Sequence, residues 1–365
     1  MVIKMVLKDL FRETLRKYVD FEPQTHPQEQ GWVELNTTEN PYPPIPEILD
    51  NIKNAIDQKI RLYPDPTSFE LRKEILNVLL QDKDTLTNRN SVFIGNGSDE
   101  IFDVIFKVLI DPGDEVILFY PSNGLYKSIA TMFNAKINEI QLNEDFSIPE
   151  SAYATTGKLM IINSPNDPNG KSFGNATILK LCGSFPGMVI VDEAYADFST
   201  QTCLPLLKKA KNLMVIRSFS KSFSLASLRI GYALADAEIT KEMNRVKLPY
   251  NTNYIGQVAA KSCIQYRKEV FEQNNKIIKE RLRLTEELDS FDGVSVLPSD
   301  ASFILVKFED KTKTLKFVWE LKELKVLVRH FSKPGLYKYI RVTIGTREDN
   351  DAFLNVFRSL AKKYL

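Results

Sequence analysis

Five short apolar runs along the middle of the chain alternate with segments of helical hydrophobic spacing. The runs lie at 92–94, 115–119, 158–162, 188–191 and 213–216. Helical patterns, such as those at 100–109 and 124–133, separate them. Continuous apolar strands that alternate with helices are typical of a largely parallel sheet covered by helices on both faces. The central part of the chain is therefore predicted to be an α/β unit.

The two ends of the chain follow a different pattern. Residues 1–19 alternate apolar and charged positions and predict a short amphipathic helix, and further helices are predicted at 46–60 and 68–80. From about residue 256 the pattern predicts a long helix to 288, followed by short strands and one more helix. These strands are predicted at 294–296, 303–306, 326–328 and 339–344, and the helix near 315–324. We expect a large domain at 45–255 and a smaller α+β domain formed by 1–44 and 256–365.

Polar motifs follow four of the predicted central strands at the point where each strand ends. They are 95–100 (GNGSDE), 163–170 (NSPNDPNG), 192–195 (DEAY) and 218–221 (SFSK). In open α/β sheets, ligands bind outside the carboxyl ends of the strands. We therefore expect the four motifs to line one crevice, which is the candidate functional site.

Length and composition limit the classes of protein to consider. A chain of 365 residues is expected to form about two domains, and a net charge of +1 gives no reason to expect nucleic-acid binding. Cys182, Cys203 and Cys263 lie far apart, which is typical of reduced thiols. With only His26 and His330, neither a histidine-based metal site nor Ser-His-Asp catalysis is expected. No signal-peptide pattern and no apolar run of about 20 residues is present, so we expect a cytoplasmic protein without membrane contact.

Lys221 lies in the serine-rich segment 218–232 (SFSKSFSLASLRIGY), and Arg229 follows eight positions later. A lysine can hold an aldehyde cofactor as a Schiff base, while the hydroxyls of Ser218 and Ser220 and the guanidinium of Arg229 bind its phosphate. A nearby cation and partial burial would lower the pKa of the amine, as this chemistry requires. The alternative is a serine-rich loop with a solvated lysine.

Two further motifs suit the same chemistry. Gly97, Ser98 and Asp99 open a predicted helix whose backbone amides could bind a phosphate; an ordinary helix cap is the alternative. Asp192 ends a strand and could keep a pyridine nitrogen protonated, while Tyr195 could donate to a phenolic oxygen on the same ring. The alternative is an acidic strand end that caps a helix.

Seven segments together resemble the fold-type I pyridoxal-phosphate enzymes and, within them, the histidinol-phosphate aminotransferase family. The segments are LNTTENPYPP, RLYPDPTSFELR, GNGSDE, SPNDPNG, VDEAYADF, SFSKSFSLASLRIGY and VRHFSKPGLYKYIRVTIGT. The resemblance runs from about residue 30 to the C-terminus. It implies a large domain with a mostly parallel seven-stranded sheet, a smaller α+β domain, pyridoxal 5'-phosphate as cofactor, and a homodimer with shared active sites.

The resemblance also implies roles for particular residues and implies no metal. Lys221 would carry the cofactor and act as the catalytic base, with Asp192 on the ring nitrogen and Tyr195 on the ring hydroxyl. Further cofactor-binding residues would be Gly97, Ser98, Asp99, Asn166, Asp167, Ser218, Ser220, Arg229 and, reaching the phosphate in the partner subunit, Tyr63. Substrate-binding residues would be Arg329, Arg341, Asn40 and Tyr250. The alternatives are an aromatic side chain packed on the core for Tyr63 and surface ion pairs for the two arginines.

At four positions the chain departs from the pattern of the family it resembles. Asp167 stands where an asparagine usually contacts the ring hydroxyl, and Asn123 where an aromatic side chain usually stacks on the ring. Phe21 replaces a phosphate-contacting tyrosine, and Ser302 replaces an asparagine. Loss of stacking is expected to weaken cofactor binding by about 1 kcal/mol. The departures leave the substrate open.

The leading hypothesis is an aminotransferase that exchanges an amino group between L-glutamate and a small phosphorylated amine, with histidinol phosphate as the first candidate. A decarboxylase of threonine phosphate or serine phosphate would keep the same lysine and arginines. An aminotransferase for another phosphorylated carbonyl compound is a further alternative. From other classes, a cofactor-binding protein without catalysis and a nicotinamide oxidoreductase remain; the missing final glycine of a dinucleotide fingerprint argues against the latter.

Overall fold

Two β-sheets form the framework of the computed structural model, which describes residues 10–19, 23, 26–81 and 90–365. The larger sheet has seven strands in the order β2-β8-β7-β6-β5-β3-β4. Its strands are β2 (Asn90–Gly95), β3 (Glu115–Tyr120), β4 (Lys136–Gln141), β5 (Leu159–Asn163), β6 (Met188–Asp192), β7 (Leu213–Ser218) and β8 (Gly231–Asp236). Strand β8 runs antiparallel to both of its neighbours, β2 and β7, and the other pairs are parallel. The predicted mostly parallel seven-stranded sheet is thus confirmed.

Both faces of the larger sheet are buried, which explains the continuous apolar runs. On β6, Val189 and Val191 pack into the core on one face, and Ile190 packs into the core on the other. All three side chains are fully buried. A strand that is covered on both faces gains from an apolar residue at every position.

Helices connect the strands and cover the sheets. Those of the first two-thirds of the chain are α1 (Pro46–Ala55), α2 (Phe69–Gln81), α3 (Gly97–Leu109), α4 (Gly124–Met132), α5 (Asn175–Ser184) and α6 (Ala237–Val246). They are followed by α7 (Tyr254–Gln265), α8 (Arg267–Asp289), α9 (Lys311–Glu323) and α10 (Arg347–Tyr364). Because α3 begins directly after β2, its N-terminus lies at a carboxyl end of the larger sheet.

The smaller sheet joins the two ends of the chain. Its order is β1-β11-β12-β10-β9, with β1 parallel to β11 and the other pairs antiparallel. The strands are β1 (Val33–Leu35), β9 (Val294–Leu297), β10 (Phe303–Phe308), β11 (Val326–His330) and β12 (Tyr339–Thr343). This sheet has its own apolar core with α8, α9 and α10. The boundaries at 44/45 and 255/256 stay predictions; α7 packs against α1 and α2 and shares their core.

Several predicted elements differ from those in the structure. Residues 10–19 contain 3-10 structure, including Glu13–Arg16, and no α-helix, so the helix predicted at 1–19 is wrong over this range, and residues 1–9 lie outside the described part. The helix predicted at 46–60 ends at Ala55, and the long helix from 256 is interrupted at Tyr266. Strands β4 and β8 were not anticipated. The half-exposed sequence of β4 and the Gly and Ala residues of β8 give weak strand signals.

Candidate active site

A cavity of about 400 Å³ lies at the carboxyl ends of the strands of the larger sheet. Residues from the ends of β2, β5, β6 and β7 line it, so the four polar motifs meet as expected. From the predicted set it is lined by Ser98, Asp99, Asp192, Tyr195, Ser218, Ser220, Lys221 and Arg229. Additional lining residues include Thr37, Glu39, Asn123, Leu125, Tyr126, Asn163, Ala194, Ala226 and Ser227.

Lys221 is held in this cavity by residues that are far away in sequence. Its Nζ donates a hydrogen bond of 2.7 Å to Oγ1 of Thr38, which in turn lies 3.1 Å from the hydroxyl of Tyr195. The side chain of Asn40 donates to the backbone carbonyl of Lys221 at 3.0 Å. Burial, together with the nearby positive charge of Arg341, lowers the pKa of Lys221 to about 8. A neutral amine, which can act as a nucleophile or base, is therefore available near neutral pH.

Asp192 lies at the end of β6 and is almost completely buried. One carboxylate oxygen accepts a hydrogen bond of 2.7 Å from the hydroxyl of Tyr126, and the other accepts the backbone N–H of Ala194 at 3.0 Å. Burial raises the pKa of Asp192 to about 6. Above that pH the group is a buried carboxylate held in one position, which suits pairing with a protonated ring nitrogen.

The start of α3 and Arg229 form another wall of the cavity. Gly97 has a positive φ of 80°, and a Cβ added there would lie 2.6 Å from a guanidinium nitrogen of Arg229. A Cβ on Gly231 would lie 2.9 Å from the backbone nitrogen of Ser98. These glycines allow the backbone amides of a helix N-terminus to approach Arg229 closely. Amides, helix dipole and guanidinium together favour a bound phosphate.

The guanidinium of Arg229 already pairs with Asp99 at 2.7 Å within this wall. Both side chains are about half exposed, so the contact is open to exchange with a stronger anion. The hydroxyl of Ser218 accepts the backbone N–H of Ser220 at 3.1 Å. This bond fixes the turn that leads into Lys221.

A buried charge network supports the lysine loop, and the sequence motifs did not indicate it. Arg217, at the end of β7, pairs with Glu193 at 2.8 Å and with Asp197 at 2.7 Å. Asp197 also accepts the hydroxyl of Ser222 at 2.5 Å. The network therefore joins the loop next to Lys221 to the segment that follows Asp192. An arginine in the otherwise apolar strand LMVIRS was the available signal.

Three of the predicted residues make structural contacts. The amide of Asn166 donates to the carbonyl of Pro121 at 3.0 Å and accepts the hydroxyl of Ser122 at 3.0 Å. Asp167 forms an ion pair of 2.6 Å with Arg341. Their roles towards cofactor and substrate stay predictions.

Other predicted residues lie further from the lysine. The ring of Tyr63 is 80% exposed and stacks on the ring of Tyr250, with centroids 4.4 Å apart. The guanidinium of Arg329 on β11 lies 5.8 Å from the ring of Phe331. In the pairing of β11 with β12, Arg329 is opposite Arg341. The predicted roles of these residues stay predictions.

The departures from the family pattern have visible partners. Asn123 lines the cavity and caps α4 by accepting the backbone N–H of Leu125 at 3.0 Å. Ser302 is buried, and its hydroxyl has no hydrogen-bond partner within the described part of the chain. Phe21 lies outside the described residues. Thr38 and Tyr126, which contact Lys221 and Asp192, were not singled out in the sequence, although Thr38 lies in the segment LNTTENPYPP and Tyr126 in the helical pattern at 124–133.

The described residues show neither a metal-binding cluster nor a membrane-spanning helix. Among residues 10–19, 23, 26–81 and 90–365, no cluster of three or more His, Cys, Asp or Glu side chains is arranged to hold a metal ion. Within the same ranges, no helix has the length and apolar character needed to cross a membrane.

Comparisons with known proteins agree with this geometry. Residues 30–357 match the family model described as aminotransferase class I and II. The histidinol-phosphate aminotransferase of Crocosphaera subtropica is 34% identical over 349 residues, which cover 96% of this chain and 98% of that protein. The histidinol-phosphate aminotransferase of Clostridium beijerinckii is 35% identical, covering 95% of this chain and 96% of that one.

The fold is also similar to that of solved structures. The histidinol-phosphate aminotransferase of Sinorhizobium meliloti, solved in complex with pyridoxal 5'-phosphate, superposes with a TM-score of 0.81 at 19% identity. The match covers 91% of each chain. The family model and the relatives cover nearly the whole sequence, and the chain belongs to the class I and II aminotransferases.

Proposed function

We propose that the protein is a pyridoxal-phosphate-dependent aminotransferase that exchanges an amino group between L-glutamate and a small phosphorylated amine. The observation that carries the proposal is the arrangement around Lys221, whose amine of lowered pKa faces the same cavity as Asp192 and Tyr195. Histidinol phosphate is the first candidate substrate, because the relatives that cover the chain are named for it.

The cavity has suitable groups for every part of the cofactor. Lys221 would bind it covalently, Asp192 would pair with the ring nitrogen, and Tyr195 would donate to the ring oxygen. Ser98, Ser218, Ser220, Arg229 and the amides that follow Gly97 would hold the phosphate. The close approach at Gly97, where a side chain would collide with Arg229, supports a phosphate cradle at this wall. When bound, pyridoxal phosphate supplies an electron sink for the carbon next to the amino group.

The residues of the chain control protons around that chemistry. Above about pH 8 the Nζ of Lys221 is neutral and can take a proton from the substrate carbon. Thr38 connects this nitrogen to the hydroxyl of Tyr195, so the three groups form one hydrogen-bonded chain. Tyr126 holds the carboxylate of Asp192 at a fixed position, which removes the need for it to reorganise during the reaction.

Substrate binding would fall to residues on the smaller sheet and the neighbouring loops. Arg341 is almost completely buried and close enough to Lys221 to affect its pKa, and Arg329 lies opposite it. Asn40 and Tyr250 remain candidates; the amide of Asn40 is engaged with the backbone of Lys221 in the structure.

A homodimer with shared sites would account for an exposed apolar surface. Tyr63 and Tyr250 are stacked yet exposed, and Ile60, Leu62 and Leu248 beside them in sequence are each more than half exposed. An apolar patch of this kind marks an interaction site. We infer that a second copy covers it and that Tyr63 then reaches the phosphate site of the partner subunit.

A half-reaction assay tests the proposed function. The cofactor-loaded protein is mixed with glutamate in the absence of an acceptor, and the cofactor absorbance and 2-oxoglutarate are followed. We expect about one 2-oxoglutarate per site, and recovery of the original spectrum when a phosphorylated carbonyl compound is added. An unchanged spectrum with glutamate would contradict an aminotransferase of this type. Release of carbon dioxide from threonine phosphate or serine phosphate, without use of a keto acid, would select the decarboxylase.

A further inference from the structure

The ion pair between Asp167 and Arg341 links the two sheets at the substrate side of the site. Asp167 lies in the loop after β5 of the larger sheet, and Arg341 lies on β12 of the smaller one. The carboxylate and a guanidinium nitrogen are 2.6 Å apart, and the two side chains are 13% and 8% exposed. At this burial the attraction is screened only weakly by water or salt. The contact therefore differs in kind from a surface ion pair.

Arg341 needs a negative partner even before any substrate binds. Its side chain is only 8% exposed, and a buried charge without a counter-charge is costly. A second guanidinium nitrogen of Arg341 donates to the carbonyl of Asn36 at 2.8 Å, while its Nε is buried without a partner in the described residues. An anion beside Arg341 compensates for the burial of its charge.

The backbone holds Asp167 in position to supply this anion. Its N–H donates to the side-chain oxygen of Asn163 at 2.7 Å. The amide of Asn163 in turn donates to the carbonyl of Asp192 at 3.0 Å, which connects the loop to the end of β6. The position of the carboxylate is thus set by the same strand ends that form the cavity.

We propose that Asp167 is a specificity-determining residue: an internal counter-anion that occupies Arg341 and must be displaced by any anionic group that a substrate brings there. This inference rests on the proposed function in assigning Arg341 to the substrate. An incoming carboxylate gains a contact with Arg341 but breaks one that is equivalent in charge and geometry. It also leaves Asp167 beside a second negative charge. A substrate carboxylate at Arg341, that of glutamate included, is therefore bound less tightly than it would be without Asp167.

The test compares anion binding by variants that differ in one charge. Maleate, an unreactive dicarboxylate, is titrated by calorimetry into the cofactor-loaded wild-type protein and into Asp167→Asn. The asparagine keeps the shape and one hydrogen-bond acceptor for Arg341 but removes the competing charge. We expect Asp167→Asn to bind maleate about tenfold more tightly or better, and the KM for glutamate to fall with it.

Three further proteins make the result specific. Arg341→Gln in the Asp167→Asn background is expected to abolish the gain. Glu150→Gln removes the same charge from an exposed ion pair with Lys180 and is expected to leave maleate binding unchanged. Asp167→Ala also removes the carboxylate that pairs with Arg341. If one of the two Asp167 variants fails to fold, the other still measures the effect on maleate binding. Unchanged or weaker maleate binding in folded Asp167→Asn or Asp167→Ala would overturn the proposal.

The binding measurement is independent of turnover. If the protein fails to transaminate glutamate, the proposed function falls, but the comparison of maleate affinities still measures competition at Arg341. If transamination succeeds and the affinities are equal, the counter-anion role falls and the proposed function stands.

Discussion

Lys221 and Arg341 lie at two sides of one site, but their side chains have different kinds of partner. Lys221 donates to the neutral hydroxyl of Thr38, which in turn contacts the hydroxyl of Tyr195, and the lysine has no opposite charge in direct contact among the described residues. The guanidinium of Arg341 forms an ion pair of 2.6 Å with the carboxylate of Asp167. The lysine is therefore ready to react, whereas the arginine is already neutralised. We infer that the fold keeps the reactive amine of Lys221 available, whereas the preference for one substrate depends on the separate contact between Asp167 and Arg341.

The largest expected effect comes from removing the reactive amine. Lys221→Ala should lower transamination on the order of 10³-fold or more, because both covalent binding of the cofactor and proton transfer lose their group. Steady-state rates with glutamate and the cofactor spectrum measure the loss. Lys107→Ala, at an exposed ion pair with Asp103, is the control and should be near normal. An activity within tenfold of wild type in Lys221→Ala would contradict the role of this residue.

Removing the charge that supports the lysine loop should affect stability. Arg217→Met leaves Glu193 and Asp197 buried without their cation, and breaking such a pair typically costs about 3–5 kcal/mol. Urea unfolding measures the free energy of unfolding. Arg245→Met changes an arginine that is 76% exposed and should stay within about 0.5 kcal/mol of wild type. Equal losses in the two variants would show that the buried network has no special role.

The pH dependence of cofactor loading tests the lysine side directly. Below pH 8 the Nζ of Lys221 carries a proton and cannot attack the aldehyde; above it the amine is neutral, since its pKa is lowered to about 8. The rate at which the cofactor-free protein takes up pyridoxal phosphate should thus rise with pH and level off above about pH 8. Absorbance in a stopped-flow instrument follows it. A midpoint near that of an ordinary lysine, about 10.4, would contradict the environment described for Lys221.

A smaller effect is expected from the hydroxyl that contacts the lysine. Thr38→Val removes the acceptor for Nζ at nearly constant volume, and loss of one such hydrogen bond should lower kcat about tenfold with little change in the KM for glutamate. Thr38→Ser keeps the hydroxyl and should recover most of the rate. If serine and valine behave alike, the contact has no part in the reaction.

The strand ends could be predicted from the sequence because parallel strands place their carboxyl ends at one edge. This is why Asp192, Ser218 and Lys221 were expected together, and the cavity contains all three. The mostly parallel order of the sheet followed from the same apolar runs. These inferences needed only local patterns and the topology they imply.

The remaining site contacts could not be predicted because they join distant parts of the chain. Thr38 meets Lys221 across 183 positions, and Asp167 meets Arg341 across 174. No local pattern encodes such pairs. The position of Asp167 was recognised as a departure in the motif, but its partner became visible only when β12 was placed against the loop after β5.

Mapping the site of covalent attachment tests whether Lys221 carries the cofactor. Protein loaded with pyridoxal phosphate is reduced with borohydride, which makes the linkage permanent, digested, and analysed by mass spectrometry. We expect the added mass to lie on Lys221 at about one per chain and to be absent from Lys221→Ala. Attachment to another lysine, or no attachment at all, would contradict it.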